Sequence, residues 1–414
     1  MSRAAVTMLR ILIVTTFFPP QNSIASLRPL SWAKYWTAAG HDVTVLTPQP
    51  VQGSSCNVLS VPVSSFVSGM KENYQRTQAA PSAAASLFNR LRQRYGIFNA
   101  CRFPDLTELW VSAALDAARA QPSWDLVVST SGPYTTHRIA SKLKYERRAA
   151  RWVADYRDLW SDNHIFPGLF PFNYYEPFLE RRLLRNADCL TTVSDPLAAT
   201  LRRRHPGKNI AVIENGFDPD DLANLSGERS LPDDGIFRIV YTGTFYPRST
   251  DPEPLFRAIR SLPDILRNRL EVLFFGPPSA ELASLIEKHH VGRWVKQHGF
   301  VSRENALRLQ RDAHALLFLP WKDSDGILTG KIFEYLYSRT PIIAVGASSD
   351  DTVKRLISDN GAGNAFHNQE ILLCFLQQQL LKPTKASTQV TPRLLDRYNR
   401  KQLAEQFLTM AYLE

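Results

Sequence analysis

The 414-residue chain is poor in long apolar runs, in cysteine and in the short motifs that announce particular chemistries. No stretch reaches the roughly 20 residues of a membrane-crossing helix. The apolar start, ILIVTTFF at 11–18, is cut off at once by Pro19-Pro20. With no small-residue cleavage site before that turn, it reads as a buried strand and not as a signal peptide. The four cysteines (Cys56, Cys101, Cys189, Cys374) are scattered and form no CxxC pair. That spacing argues against a disulfide framework or a zinc site and for free thiols in a reducing cytosol. Walker GxxxxGK[ST], GxGxxG and HExxH are all absent, and so are helix-turn-helix and RNA-recognition signatures, so nucleic acid is not the expected partner. No repeat or low-complexity tract interrupts the chain.

What is present is an ordinary globular balance, 44% apolar and 21% charged residues, with a net charge of +10 from 49 Lys and Arg against 39 Asp and Glu. The excess of cations favours anionic partners or an anionic membrane surface; a generically basic protein has the same balance. The length exceeds what one core organises, so two domains are expected. Short apolar runs alternate with helical patterns in both halves, which predicts doubly wound α/β units with parallel strands. In the first half strands are predicted over 11–15, 42–46, 58–61, 126–129, 151–154, 189–193 and 210–213, with helices over 27–39, 106–120, 135–143, 174–186 and 195–204. A domain over 1–215 follows, then a polar linker over 216–236 and a second domain over 237–393. The second domain has strands at 238–242, 270–275, 294–298, 315–319 and 342–345, and helices at 253–261, 280–289, 303–312, 331–338 and 350–358. A final single helix is predicted over 394–414. The alternation fails over 64–103, an insertion whose Lys71, Arg76, Arg90, Arg92, Arg94 and Arg102 are interleaved with Phe88, Leu91, Tyr95, Ile97 and Phe98. It is read either as an anionic-lipid contact or as a solvated loop.

Ligands of doubly wound sheets bind beyond the carboxyl ends of the strands, so the charged and glycine-bearing turns there are the candidate sites. The most informative is GILTGKIFEYLYSRTPII, 326–343. Thr329 and Gly330 lead into a helix beginning near Lys331, whose free amide groups and positive end attract phosphate, with Lys331 adding a full charge. Glu334, one turn on, is placed to accept hydrogen bonds from sugar hydroxyls. The alternative is an exposed Lys331–Glu334 ion pair. Gly243 and Thr244 after the 238–242 strand, with Arg248, form a second phosphate candidate or an ordinary turn. Phe300, after Gly299, is a third, for a nucleobase. In the first half, Asp155-Tyr156-Arg157-Asp158 closes the strand RWVA; these charges either pair with one another or serve a substrate. Ser26, Arg28, Ser131 and His137 are candidates for the same face, with surface roles as the alternative for Arg28 and His137. Asp323-Ser324-Asp325 looks like a DxD metal motif and reads as turn chemistry instead; no metal is expected.

Taken in order, ILIVTTFFPP, ASLRPLSWAKYW, GHDVTVLT, FPDLTELW, WVADYRDLW, IENGFD, VYTGTFY and GKIFEYL…TPII resemble the family-four retaining glycosyltransferases. The resemblance covers nearly the whole chain and is similar to bacterial enzymes of surface-polysaccharide biosynthesis or small-metabolite glycosylation. It implies the GT-B fold, two Rossmann-like domains facing each other across a cleft, in a cytoplasmic protein, peripheral on the inner membrane face if the basic insertion meets lipid. The second domain would bind a nucleotide sugar, most simply UDP-linked, with Glu334 on the ribose, Lys331 and Arg248 on the diphosphate, and Gly243, Thr244 and Thr329-Gly330 supplying backbone donors. The first would bind a lipid-linked or small-molecule acceptor, with Asp155, Arg157 and Asp158 at the reaction centre. Three departures stand out: Gly326 occupies a position the family often fills with glutamate, Arg157 one where a histidine is common, and the lysine that usually partners the phosphate-binding arginine is not evident after Arg248. An epimerase or hydrolase of the same fold, or a non-catalytic sugar-nucleotide-binding subunit, would use the same second-domain pocket.

Overall fold

The computed structural model describes residues 8–21, 24–51, 53–63, 90–92, 94–163, 166–223, 225, 229–247, 249–321, 329–346, 352–381 and 386–412. The chain divides into two compact units, Met1–Glu214 with Leu403–Glu414, and Asn215–Gln402.

The first unit is built on a seven-stranded sheet of order β3-β2-β1-β4-β5-β6-β7. Its strands are β1 (Arg10–Val14), β2 (Asp42–Thr47), β3 (Asn57–Ser60), β4 (Trp124–Ser131), β5 (Ala149–Tyr156), β6 (Cys189–Thr192) and β7 (Ile210–Val212). All pair in parallel. The central strands are apolar on both faces because helices cover both sides, as parallel sheets require. The order reverses between β1 and β4, the crevice where doubly wound sheets place their sites.

The second unit repeats the plan with six parallel strands in the order β10-β9-β8-β11-β12-β13. They are β8 (Phe237–Thr242), β9 (Leu270–Phe275), β10 (Val295–Gly299), β11 (Ala315–Phe318), β12 (Ile342–Val345) and β13 (Gly363–Phe366). Beyond the expected elements lie β13 and the helices Pro219–Ala223, Asp264–Arg267 and Gln369–Leu381.

Two expectations about organisation are corrected. The stretch 216–236 is not a free linker but part of the second unit. Phe217 is buried and stacks on Tyr337 at 4.1 Å, and Asp234 clamps Arg238 with both oxygens. The expected single terminal helix is two, Pro392–Arg397 and Arg400–Tyr412. The break falls where backbone groups leave the helix to meet Phe217, whose N–H donates to Tyr398 O and whose carbonyl accepts from the Arg400 N–H. The second of these helices buries Leu403, Phe407 and Met410 among Trp32, Trp36 and Val43 of the first unit.

Of the insertion, residues 64–89 and 93 lie outside the described residues, so Lys71, Arg76 and Phe88 are not placed. Arg102, expected on a basic surface, is instead buried against Glu176 at 2.6 Å. Its guanidinium also donates to the carbonyls of Trp160, Ser161 and Pro167. All four cysteines are unpaired.

Candidate functional site

In the second unit three glycine turns stack at the carboxyl ends of β8, β9 and β10. Gly243 N–H donates to Phe275 O at 2.7 Å, and Gly276 N–H to Gly299 O at 2.8 Å. The layers are so close that a Cβ on Gly276 would lie 2.2 Å from Gly243 O. Gly243 itself has φ +112°, a conformation L side chains rarely adopt. The result is a small shelf of bare main chain.

Lys331 reaches this shelf from the helix Gly330–Ser338. A Cβ on Gly243 would lie 3.1 Å from its Cε and 3.2 Å from its Nζ. The Nζ also sits 3.6 Å from the Tyr241 ring centroid, a cation–π contact. Among the described residues no carboxylate is within ion-pair distance of this amine, so the expected alternative of a Lys331–Glu334 pair is not what forms. The residue keeps some surface exposure, but protein packed about the amine brings its pKa down to about 7, Glu334 opposing the shift only in part. The helix forms because Ile332, Phe333, Tyr335 and Leu336 bury one face. Its first turn is left uncapped by side chain, since the Thr329 hydroxyl makes no capping bond. Register between helix and shelf is fixed by the Tyr335 hydroxyl, which accepts from the Thr242 N–H at 3.0 Å. Gln310 in turn donates to the Thr242 hydroxyl at 2.9 Å.

Glu334 points elsewhere on the same helix. Its Oε1 accepts from Arg303 Nη1 at 2.7 Å, and the other amino group of Arg303 is held by Asp221. The second oxygen of Glu334 carries no hydrogen bond among the described residues. Arg400 is buried nearby; burial lowers its pKa, and the Glu334 and Asp221 charges oppose that. Arg303 and Asp221 were not singled out from sequence. Thr244 and Phe300 are exposed beside the shelf, and the Thr244 carbonyl accepts from the Tyr241 hydroxyl at 2.7 Å. Arg248, Gly326 and Asp323–Asp325 lie outside the described residues.

The first unit corrects most of its expected site. Asp155 is fully buried, and both oxygens are consumed. Arg28 grips it through Nη2 at 2.7 Å and Nε at 3.2 Å, while Thr130 and Thr191 each donate at 2.8 Å. Arg28 Nη1 donates to the carbonyls of Ile213 and Glu214, at 2.9 Å each. A buried, bidentate, fully satisfied pair ties the helix Ile24–Ala38 to β4, β5 and β6 and offers nothing to a ligand. Asp155 is therefore a positioning residue and not part of a reaction centre, and Arg28 is its partner. His137 is also buried, its Nδ1 2.8 Å from the Ser129 hydroxyl, and burial lowers its pKa to about 4. Ser26 and Ser131 are buried too, and their hydroxyls donate to the carbonyls of Gln21 and Asp158. These side chains hold the strand ends. What remains outward-facing is Arg157, anchored by its Nε on Ser131 O at 3.2 Å and lying over the Phe17 ring, and the exposed carboxylate of Asp158.

Residues 26–216 match the family model described as "Glycosyl transferase 4-like domain". No curated protein matches the chain. Among solved structures it is similar to a sucrose-phosphate synthase from Thermosynechococcus elongatus, at 17% identity and TM-score 0.63, covering 97% of each chain. HepE of Anabaena, solved in complex with UDP, is similar at 14% identity and TM-score 0.63, covering 98% of this chain and 100% of that one. A glycosyltransferase of Rickettsia africae has 15% identity and TM-score 0.61, covering 98% of both.

Proposed function

Because residues 26–216 are a glycosyl transferase 4-like domain, in a chain with the α/β fold of GT-B glycosyltransferases, we propose that this protein transfers a sugar from a UDP-linked nucleotide sugar. The acceptor is a lipid-linked or small molecule bound by the first unit, and the anomeric configuration is retained. The observation that carries the reading is the Lys331 amine resting on the Gly243 shelf, with no carboxylate partner among the described residues, beside a helix start that no side chain caps. A diphosphate seated there would receive the lysine charge, the amides of Thr244 and of the Thr329-Gly330 turn, and the positive helix end. Binding without metal follows from that set of donors. The second Glu334 oxygen, without a hydrogen bond among the described residues and with its partner oxygen fixed by Arg303, suits the two hydroxyls of a ribose. The exposed Phe300 lies on the next turn, where a base would rest.

As the glycosidic bond to the diphosphate lengthens, negative charge grows on the leaving oxygens and the sugar acquires oxocarbenium character. Cations already in place stabilise that charge, usually the largest catalytic contribution. The departing phosphate can then take the acceptor's proton on the same face, which yields retention without two flanking carboxylates. Arg157 and Asp158 are the groups left to orient the acceptor. Titration of the purified protein with UDP, UDP-glucose, GDP-glucose and ADP-glucose, read by thermal shift, tests the reading. UDP and UDP-glucose are expected to raise the melting temperature, and Lys331→Ala to abolish the rise while melting normally without ligand. A wild-type protein indifferent to every nucleotide overturns it.

A further inference from the structure

The helix Phe172–Leu184 in the first unit carries a polarity that the sugar-transfer reading leaves unused. Its two carboxylates both face inward. Glu176 is buried, bound to Arg102, the Phe103 N–H and the Trp160 indole. Glu180 is buried as well, accepting from the Ser161 N–H and hydroxyl. Its three cations, counting Arg185 at the C-cap, all face outward: Arg181, Arg182 and Arg185 are exposed. Among the described residues none of the three has a carboxylate within ion-pair distance. On the same outward stripe the N-terminal half of the helix exposes large aromatic rings. Tyr174 is 77% exposed and Phe178 58%, with Phe170 just before the helix at 74%. Positions 174, 178, 181, 182 and 185 recur at the spacing that puts residues on one helical face.

Phe103 beneath packs against Phe172 and Tyr175 at 5.4 and 6.0 Å, so the helix is pinned from inside. The neighbouring helix Asp195–Arg204 extends the cationic end. Arg181 Nε donates to the Arg204 carbonyl, and Lys208 Nζ to the carbonyl of Arg185 at 2.7 Å. Arg202 and Arg203 are exposed there as well.

From this we infer that the 170–185 face is the protein's docking surface for an anionic lipid bilayer, the rings entering the headgroup–acyl boundary and the arginines meeting lipid phosphates. An exposed aromatic group continuous with unpaired cations, and with the acids of the same helix withdrawn, is the composition of an interfacial helix. Charge complementarity selects the partner, since a second copy of this face would bring arginines against arginines. The inference extends the proposed acceptor from any small molecule towards one presented at a membrane, and in that respect rests on the glycosyl-transfer reading. Its test needs no turnover.

The experiment is co-sedimentation of the full chain with vesicles of phosphatidylcholine alone or mixed with about one-third phosphatidylglycerol. Binding to the mixed vesicles and not to the neutral ones is expected, weakening as salt screens the arginines. Arg181→Gln with Arg182→Gln is expected to weaken it about twenty-five-fold, each cation near an anionic surface contributing about a factor of five. Tyr174→Ser with Phe178→Ser is expected to lose the binding that survives in high salt. A Phe178→Trp variant is expected to shift its emission to the blue on mixed vesicles. Thermal melting and UDP titration of each variant show whether fold and nucleotide site are intact, which separates failure here from failure of the proposed activity. No sedimentation with anionic vesicles at low salt overturns the inference. So does undiminished binding by both double variants, or a self-associating chain whose dimer the aromatic variant dissolves.

Discussion

At the scale of single residues, charge does opposite work in the two units. Lys331 is a cation with no carboxylate partner among the described residues, and its pKa near 7 makes anion binding a protonation equilibrium. Below that value the amine is already charged and binds diphosphate directly. Above it the free protein must take up a proton on binding, so affinity for UDP is expected to fall about tenfold per pH unit above pH 7. The decline ends where the bound lysine itself deprotonates. Calorimetric titration between pH 6.5 and 9 checks this, and Lys331→Ala should show no binding heat at any pH in that range. A flat wild-type profile would show that the amine takes no part. Asp155 is the reverse case, an anion wholly enclosed by its donors. Asp155→Ala leaves the Arg28 guanidinium buried and unmatched and is expected to cost about 3 to 5 kcal/mol of stability. Urea unfolding measures it; a variant of normal stability lacking only turnover would return Asp155 to the reaction. Sequence alone left open whether Asp155 pairs or serves a substrate, because its partner Arg28 is 127 positions away. It also passed over Arg303, one charge on a helix that also carries Glu304, Arg308 and Arg311. Only the fold brings that one to Glu334.

At the scale of elements, the shelf depends on backbone that side chains would obstruct. Gly243→Ala places a methyl group against the Lys331 amine and forces φ +112° on a residue that resists it. UDP binding is expected to disappear while far-UV circular dichroism stays native; nucleotide affinity within about threefold of wild type, a change of less than 1 kcal/mol, would sink the assignment of this turn. Most strands were legible because parallel strands covered on both faces read as unbroken apolar runs. The strand β13 was not, since GNAF buries only its phenylalanine and owes its place to Gly363. A Cβ on that glycine would lie 2.0 Å from the Ile342 carbonyl oxygen. The loop-to-helix entry at Gly330 could be read directly, because glycine, lysine and the apolar spacing after them occupy consecutive positions. The terminal helix break could not, because its cause is Phe217, far back in the chain.

At the scale of the whole molecule, residues 403–414 return to the unit built by residues 1–214. Phe407 lies 4.8 Å from the Trp32 ring and 5.6 Å from that of Trp36, and Trp36 donates its indole N–H to the Ala404 carbonyl at 2.9 Å. Phe407→Ala is expected to destabilise the first unit by about 3 to 5 kcal/mol. Urea unfolding followed by tryptophan fluorescence checks it, with the emission of the folded variant moved to the red; an unchanged midpoint would mean that the last helix merely rests on the surface. This arrangement also sets a timetable for the ribosome. Everything else in the first unit has been synthesised by residue 214, yet the segment that covers Trp32 and Trp36 begins at residue 403. At ordinary elongation rates the interval is roughly ten to forty seconds. Throughout it the nascent chain displays an unfinished apolar face, the kind of surface that chaperones bind, and a message truncated anywhere in the second unit releases a first unit that can never close.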